Sequence, residues 1–265
     1  MNGHQQIRAA LARREGAAAL LPFMTAGIPS PARSVDLFVA MADAGADAFE
    51  VGIPYSDPLM DGPVIMAASE AALAAGTTIR VAMDIIEQVA SRTGKPVLAM
   101  TYANPVMQVG WEEFVEKLES AGAAGIIVPD LPLEECGPLR AAAATRGVGV
   151  VQFVSPTSDD ERIEAVAAAD PAFIYGVAEM GVTGERASAS SHARTLSERV
   201  REHTGAPLVF GVGISTPEQA RAIRGLADGV IVGSAMVRRV LEADSPESAA
   251  RSLAEAVAAF AAVLH

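Results

Sequence analysis

Residues 48–63 read AFEVGIPYSDPLMDGP. The first seven form an apolar run that carries one carboxylate, Glu50, between Phe49 and Val51; the rest is a loop punctuated by proline, aspartate and glycine. A short run that is apolar on both alternating faces reads as a buried parallel strand, because helices cover both sides of such a sheet. Similar runs recur at Leu20 to Ala26, Pro96 to Tyr102, Gly125 to Leu131, Val150 to Ser155, Phe173 to Ala178, Pro207 to Gly213 and Gly229 to Ala235. Helical segments separate them. Ser30-Pro31 is a cap followed by proline at the first helical position, and Val35, Phe38, Val39, Met41 and Ala42 then supply an apolar face. Asp159 to Ala169 places Ile163, Val166 and Ala167 on one face, and Thr216-Pro217-Glu218 and Ser245-Pro246-Glu247 repeat the start signal. The last of these opens an alanine-rich helix that runs to about Leu264. Eight strands alternating with helices predict an α/β fold, a single (β/α)8 TIM barrel over residues 1–265. The competing architecture is an open doubly wound sheet, but no Gly-x-Gly-x-x-Gly follows the first strand.

Composition narrows the function. Of 265 residues, 51% are apolar and 20% charged, enough to fill a large core and to exclude a disordered chain. No apolar run approaches the ~20 residues of a spanning helix, and Ala17 to Gly27 lacks a signal-peptide cleavage pattern; a cytoplasmic protein is expected. The formal net charge of −12 opposes binding to nucleic acid or an anionic membrane. The one cysteine, Cys136, cannot form an internal disulfide, and His4, His192, His203 and His265 show no metal-ligand spacing, so no metal is expected and cysteine–histidine chemistry loses support. Lys95 precedes the third strand and Lys117 sits in a helix, which places neither lysine at a barrel mouth and disfavours imine chemistry.

Catalytic groups in this fold gather where the carboxyl ends of the strands converge. Glu50 lies in such a strand. Burial would raise its pKa and suit it to acid/base work near neutrality, whereas pairing with an arginine would make it structural. Asp61 precedes Gly-Pro, so it is either a second carboxylate at the mouth or a helix cap. The glycines of Gly211-Val212-Gly213 and Gly229 to Ala235 either let backbone amides approach an anion or serve tight packing. Gly181 to Ser191, GVTGERASASS, has the composition of a mobile lid or of an ordinary surface loop.

The motifs FEVGIPYSDPLMDGP, LPFMTAGIP, MTYANPV, IIVPDLP, MGVTG, GVGIS and DGVIVGSA, in this order along nearly the whole chain, resemble the α subunit of tryptophan synthase. The resemblance implies a barrel with an extra N-terminal helix, here about Gln5 to Arg14, and retro-aldol cleavage of indole-3-glycerol phosphate to indole and glyceraldehyde 3-phosphate. It implies that Glu50 is the acid/base carboxylate, that Asp61 holds the indole N–H, and that Tyr175 stands near Glu50. Thr183 becomes the lid residue that contacts the loop-two aspartate. Gly184, Gly213, Gly233 and Ser234 take the phosphate, and Phe23, Met100, Ile127 and Ile231 form the indole pocket. The partner it implies is a β subunit in an α2β2 assembly, which carries the pyridoxal phosphate, so that no cofactor is expected in this chain, and which meets this chain near Asp57, Pro58 and Asn104-Pro105. Met66, Ala178, Glu179 and Val212 depart from the family's common residues at positions bearing on indole fit and partner contact. A stand-alone indole-releasing lyase, a non-catalytic activator of a β subunit and another phosphate-binding barrel isomerase are the alternatives. Intact Glu50 and Asp61 argue against the activator, and the motif order argues against the isomerase.

Overall fold

A computed structural model describes residues 1–12, 16–177, 186–211 and 213–265, with the backbone alone over residues 186–191. Helix α1 (Gly3–Leu11) precedes β1 (Ala19–Thr25), α2 (Pro31–Asp43), β2 (Phe49–Gly52), α3 (Pro63–Ala74), α4 (Ile79–Thr93) and β3 (Val97–Met100). Then come α5 (Ala103–Val109), α6 (Trp111–Ser120), β4 (Gly125–Ile127), α7 (Gly137–Arg146), β5 (Gly149–Val150), β6 (Gln152–Val154) and α8 (Asp160–Ala168). The chain ends with β7 (Ile174–Gly176), α9 (Arg186–His203), β8 (Leu208–Phe210), α10 (Pro217–Ile223), β9 (Gly229–Val232), α11 (Ser234–Leu241) and α12 (Pro246–Leu264).

Every strand pairing is parallel, in the order β5-β4-β3-β2-β1-β9-β8-β7-β6. The two ends of that order are neighbours in the chain, so the sheet is a barrel closed through Val151. Among the described residues nine short strands therefore stand where the sequence reading has eight. The fifth run is split because its pairing partner changes within it: the Val151 amide donates to the Ile126 carbonyl at 3.1 Å, and the Gln152 amide to the Phe173 carbonyl at 3.4 Å.

The helix starts follow their sequence signals. Thr216 and Ser245 accept hydrogen bonds from the amides of Gln219 and Ser248. Ser30 makes no side-chain cap bond; the Ser34 hydroxyl instead accepts from the Gly27 amide at 3.1 Å. Val35, Phe38 and Met41 of α2 and Ile163 and Val166 of α8 are buried as their spacing predicts.

Helix α1 closes the amino end of the barrel. Ile7 and Leu11 are buried there, and a Cβ added at Gly125, Gly149 or Gly229 would meet the Ile7 or Leu11 side chain at 3.0 Å or less. The glycines at these strand starts give their side-chain volume to the plug. The helix ends at Leu11, and Arg13 and Arg14 of the expected span lie outside the described residues.

Candidate active site

At the other end of the barrel the strands open on a cavity of about 430 Å³. Glu50, Asp61, Tyr175, Gly213, Gly233, Ser234, Phe23, Met100, Ile127 and Ile231 all line it. Thr183 and Gly184 lie outside the described residues, as do Ala178, Glu179 and Val212. The expected loop to Ser191 is corrected in its second half, because helix α9 begins at Arg186; the alanines there favour a helix.

Alternation along β2 directs Glu50 inward. Phe49 and Val51 are fully buried on the helix side, and the Phe49 ring meets Phe38 of α2 edge-on at 5.4 Å. Glu50 pairs in register with Phe23 on one side and Leu98 on the other, both apolar. The residue is 4% exposed, and its Oε2 atom has no hydrogen-bond partner among the described residues. Burial, reinforced by the charge of Asp61, pushes its carboxyl up to about 8. A structural ion pair with arginine would have lowered it, so that reading fails. At neutral pH Glu50 is a protonated acid facing an apolar cavity.

Asp61 comes from the loop after β2. Gly62, and not Asp61, is the N-cap of α3, which leaves the Asp61 carboxylate for the cavity. Burial raises its pKa, while a hydrogen bond from the Tyr102 hydroxyl opposes that rise. The Met60 amide donates to the same hydroxyl at 3.1 Å. Sequence reasoning passed over Tyr102. The available signal was its place immediately after the third strand in MTYANPV, where a large polar ring reaches back toward the neighbouring loop.

Tyr175 stacks on Phe153 with ring centroids 5.2 Å apart. Burial and the nearby Glu50 charge hold its phenol well above the usual range, so it is a neutral hydroxyl beside the acid. A Cβ at Gly211 would fall 1.9 Å from the Tyr175 hydroxyl oxygen. Gly211 therefore serves side-chain packing and not an anion, a role sequence alone left open. Gly52 makes room for the Phe23 ring in the same way, with a Cβ–Cζ approach of 2.6 Å.

The opposite wall suits an anion. Gly233 is the N-cap of α11 and Ser234 its first residue, so free amides and the helix dipole face the cavity. Gly213, at φ +77°, holds a left-handed turn beside them. The adjacent Ser215 amide is committed to Gln219 Oε1 at 2.7 Å. Met66 lies on α3 at 46% exposure and does not line the cavity, whereas its neighbour Ile65 does.

Residues 9–265 match the family model described as tryptophan synthase alpha chain. The tryptophan synthase alpha chain of Streptomyces coelicolor is 43% identical over 253 residues, covering 94% of this chain and 93% of that one. A structure of Mycobacterium tuberculosis tryptophan synthase superposes with a TM-score of 0.85 at 36% identity, covering 99% and 96% of the two chains. The tryptophan synthase subunit alpha of Legionella pneumophila does so with a TM-score of 0.87 at 30% identity, covering 100% and 98%.

Proposed function

This chain belongs to the tryptophan synthase alpha chain family, whose lyase reaction cleaves indole-3-glycerol phosphate, and we propose that Glu50 and Asp61 carry that reaction in the cavity described above. The observation that supports this most is the buried, unpartnered Glu50 carboxyl opening on the same apolar space as Asp61.

The substrate's indole ring lies among Phe23, Met100, Ile127 and Ile231, with its N–H donated to Asp61. Its phosphate sits at Gly213, Gly233 and Ser234, with Gly184 as a further phosphate contact. Protonated Glu50 gives its proton to the indole carbon that bears the side chain. The ring becomes an iminium electron sink, and the Asp61 carboxylate stabilises the positive charge that develops on its nitrogen. The Glu50 carboxylate then takes the proton of the adjacent side-chain hydroxyl. The carbon–carbon bond breaks, its electron pair returns to the ring, and indole and glyceraldehyde 3-phosphate form. Glu50 ends protonated, ready for another turnover. A group titrating near neutrality serves both transfers. Tyr175 supports Glu50 as a neutral neighbour, and Thr183 contacts the loop after β2 when substrate is bound. The reaction needs no cofactor within this chain.

We take residues 1–265 as one barrel domain acting in the cytoplasm; among the described residues no single helix is long and apolar enough to cross a membrane. The partner is a tryptophan synthase β subunit in an α2β2 assembly. The loop after β2 and helix α5 offer its docking face: Leu59 and Met107 are 79% and 60% exposed there, and a 2.8 Å hydrogen bond from Asn104 Nδ2 to the Tyr55 hydroxyl ties the two together.

Indole release from indole-3-glycerol phosphate by the purified protein, with and without a β subunit, tests both parts. Weak turnover alone and strong activation by the β subunit are expected. Fast turnover alone would identify a stand-alone lyase. Glu50→Gln is expected to abolish cleavage, a loss of about 10²–10⁴-fold or more, while a phosphate ligand still binds; an active Glu50→Gln enzyme would remove Glu50 from the mechanism.

A further inference from the structure

Tyr102 lies at the junction of β3 and α5 and is 2% exposed. Its hydroxyl oxygen accepts the Met60 amide proton at 3.1 Å, which leaves its own proton to donate. Asp61 follows Met60 in the chain, so the hydroxyl that holds the Met60 amide stands beside the Asp61 side chain, which is the acceptor its proton meets. Tyr55 packs on its ring with centroids 5.4 Å apart, and the Ala103 amide beside it donates to Asp130 Oδ1 at 2.9 Å. The Tyr102 ring is thus packed against Tyr55 and its backbone anchored at the next residue, while its hydroxyl meets the loop after β2 at the Met60 amide.

We infer that Tyr102 is a positioning residue for the cleavage reaction: by bonding the Met60 amide and the Asp61 carboxylate together, its hydroxyl aims Asp61 at the substrate's indole nitrogen. This rests on the role proposed for Asp61. Electrostatics agree with the geometry. Among the described residues the ionisable groups around the pair are Glu50 on β2, Tyr175 on β7, which faces Glu50, Tyr55, which packs on the Tyr102 ring, and Asp130 after β4, which faces Tyr102. All are acids, and burial also disfavours charge on Asp61. The Tyr102 hydroxyl is the influence that favours the carboxylate form. Removing it both loosens Asp61 and raises its proton affinity.

The test is kcat/KM for indole release against pH, in the presence of the β subunit. Tyr102→Phe removes the hydroxyl and keeps the ring. It is expected to lower kcat/KM about ten- to a hundredfold, the effect of one hydrogen bond to a charged group, and to move the acidic limb up by about one pH unit or more. The basic limb, set by Glu50, stays nearly in place. A double-mutant cycle uses an uncleavable 3-alkylindole phosphate as probe: Tyr102→Phe weakens its binding to the native protein and adds no loss in an Asp61→Asn background. An unmoved acidic limb, or equal weakening in both backgrounds, overturns the inference. An Asp61→Asn enzyme with native turnover overturns the role of Asp61 itself, and the inference with it. Should Tyr102→Phe fail to fold, 3-fluorotyrosine placed at position 102 is the second variant. Its more acidic hydroxyl donates more strongly and moves the acidic limb down; no movement overturns the inference.

Discussion

At the amino end of the barrel, Gly125, Gly149 and Gly229 yield their side-chain space to Ile7 and Leu11; at the carboxyl end, Gly52 and Gly211 yield theirs to Phe23 and Tyr175. The device is the same and the results are opposite. The amino end is filled by an apolar plug, and two carboxylates there are tied to the backbone: Asp47 and Asp228 accept the Leu20 and Leu208 amides at 2.9 and 2.7 Å. The carboxyl end keeps a cavity of about 430 Å³ and leaves the Glu50 Oε2 atom without a partner. An unpaired buried carboxyl costs stability, and the well-packed opposite end lets the fold tolerate it. One barrel therefore separates a stabilising end from a reactive end, which is the division expected of this architecture.

Substitutions at the two ends should accordingly divide between activity and stability. The largest expected effect is at the mouth. Asp61→Asn should lower kcat/KM for indole release about 10²–10³-fold, as loss of a charge-stabilising group does, with a melting temperature no lower than the native protein's. Near-native activity would reduce Asp61 to a loop residue without a chemical role. At the plug, Ile7→Ala should cost about 2–5 kcal/mol in urea unfolding and leave kcat unchanged. A parallel fall in kcat at unchanged stability would show that the ends are not independent.

A pH slope gives the third comparison. Glu50 titrates near 8 in the folded chain against an ordinary 4.5, so between these values the folded state holds a proton that the unfolded state has lost. The stability this confers is complete below pH 4.5 and declines as pH rises to 8, by at most about 1.4 kcal/mol per pH unit. Glu50→Gln lacks this term. Its unfolding free energy relative to the native protein should therefore improve from pH 5 to pH 8, measured by urea unfolding at both. A constant difference would contradict the buried protonated acid.

Much of this could be read from the linear sequence. The apolar runs and the Ser-Pro and Thr-Pro helix starts follow from local periodicity and backbone geometry, which depend on near neighbours. Glu50 stood out because a carboxylate flanked by Phe49 and Val51 has only two sides to face. Other features depend on residues distant in the chain. The split at Val151 arises because β4 and β7 both claim the fifth strand. Ile7 fills space opened by glycines more than a hundred positions away. Tyr102 reaches Met60 across 42 residues, and whether Gly211 served an anion or a phenol turned on where Tyr175 pointed.

The sequence by itself determined the alternation of strands and helices, the carboxylates available for chemistry and the family to which the chain belongs. Only the tertiary structure decided that Asp61 faces the cavity and leaves the capping of α3 to Gly62, that Glu50 has no ion-pair partner among the described residues, and that Tyr102 stands behind Asp61. The physical reason is that burial and through-space hydrogen bonds set a side chain's charge state and aim, and both come from neighbours brought together by the closing of the barrel.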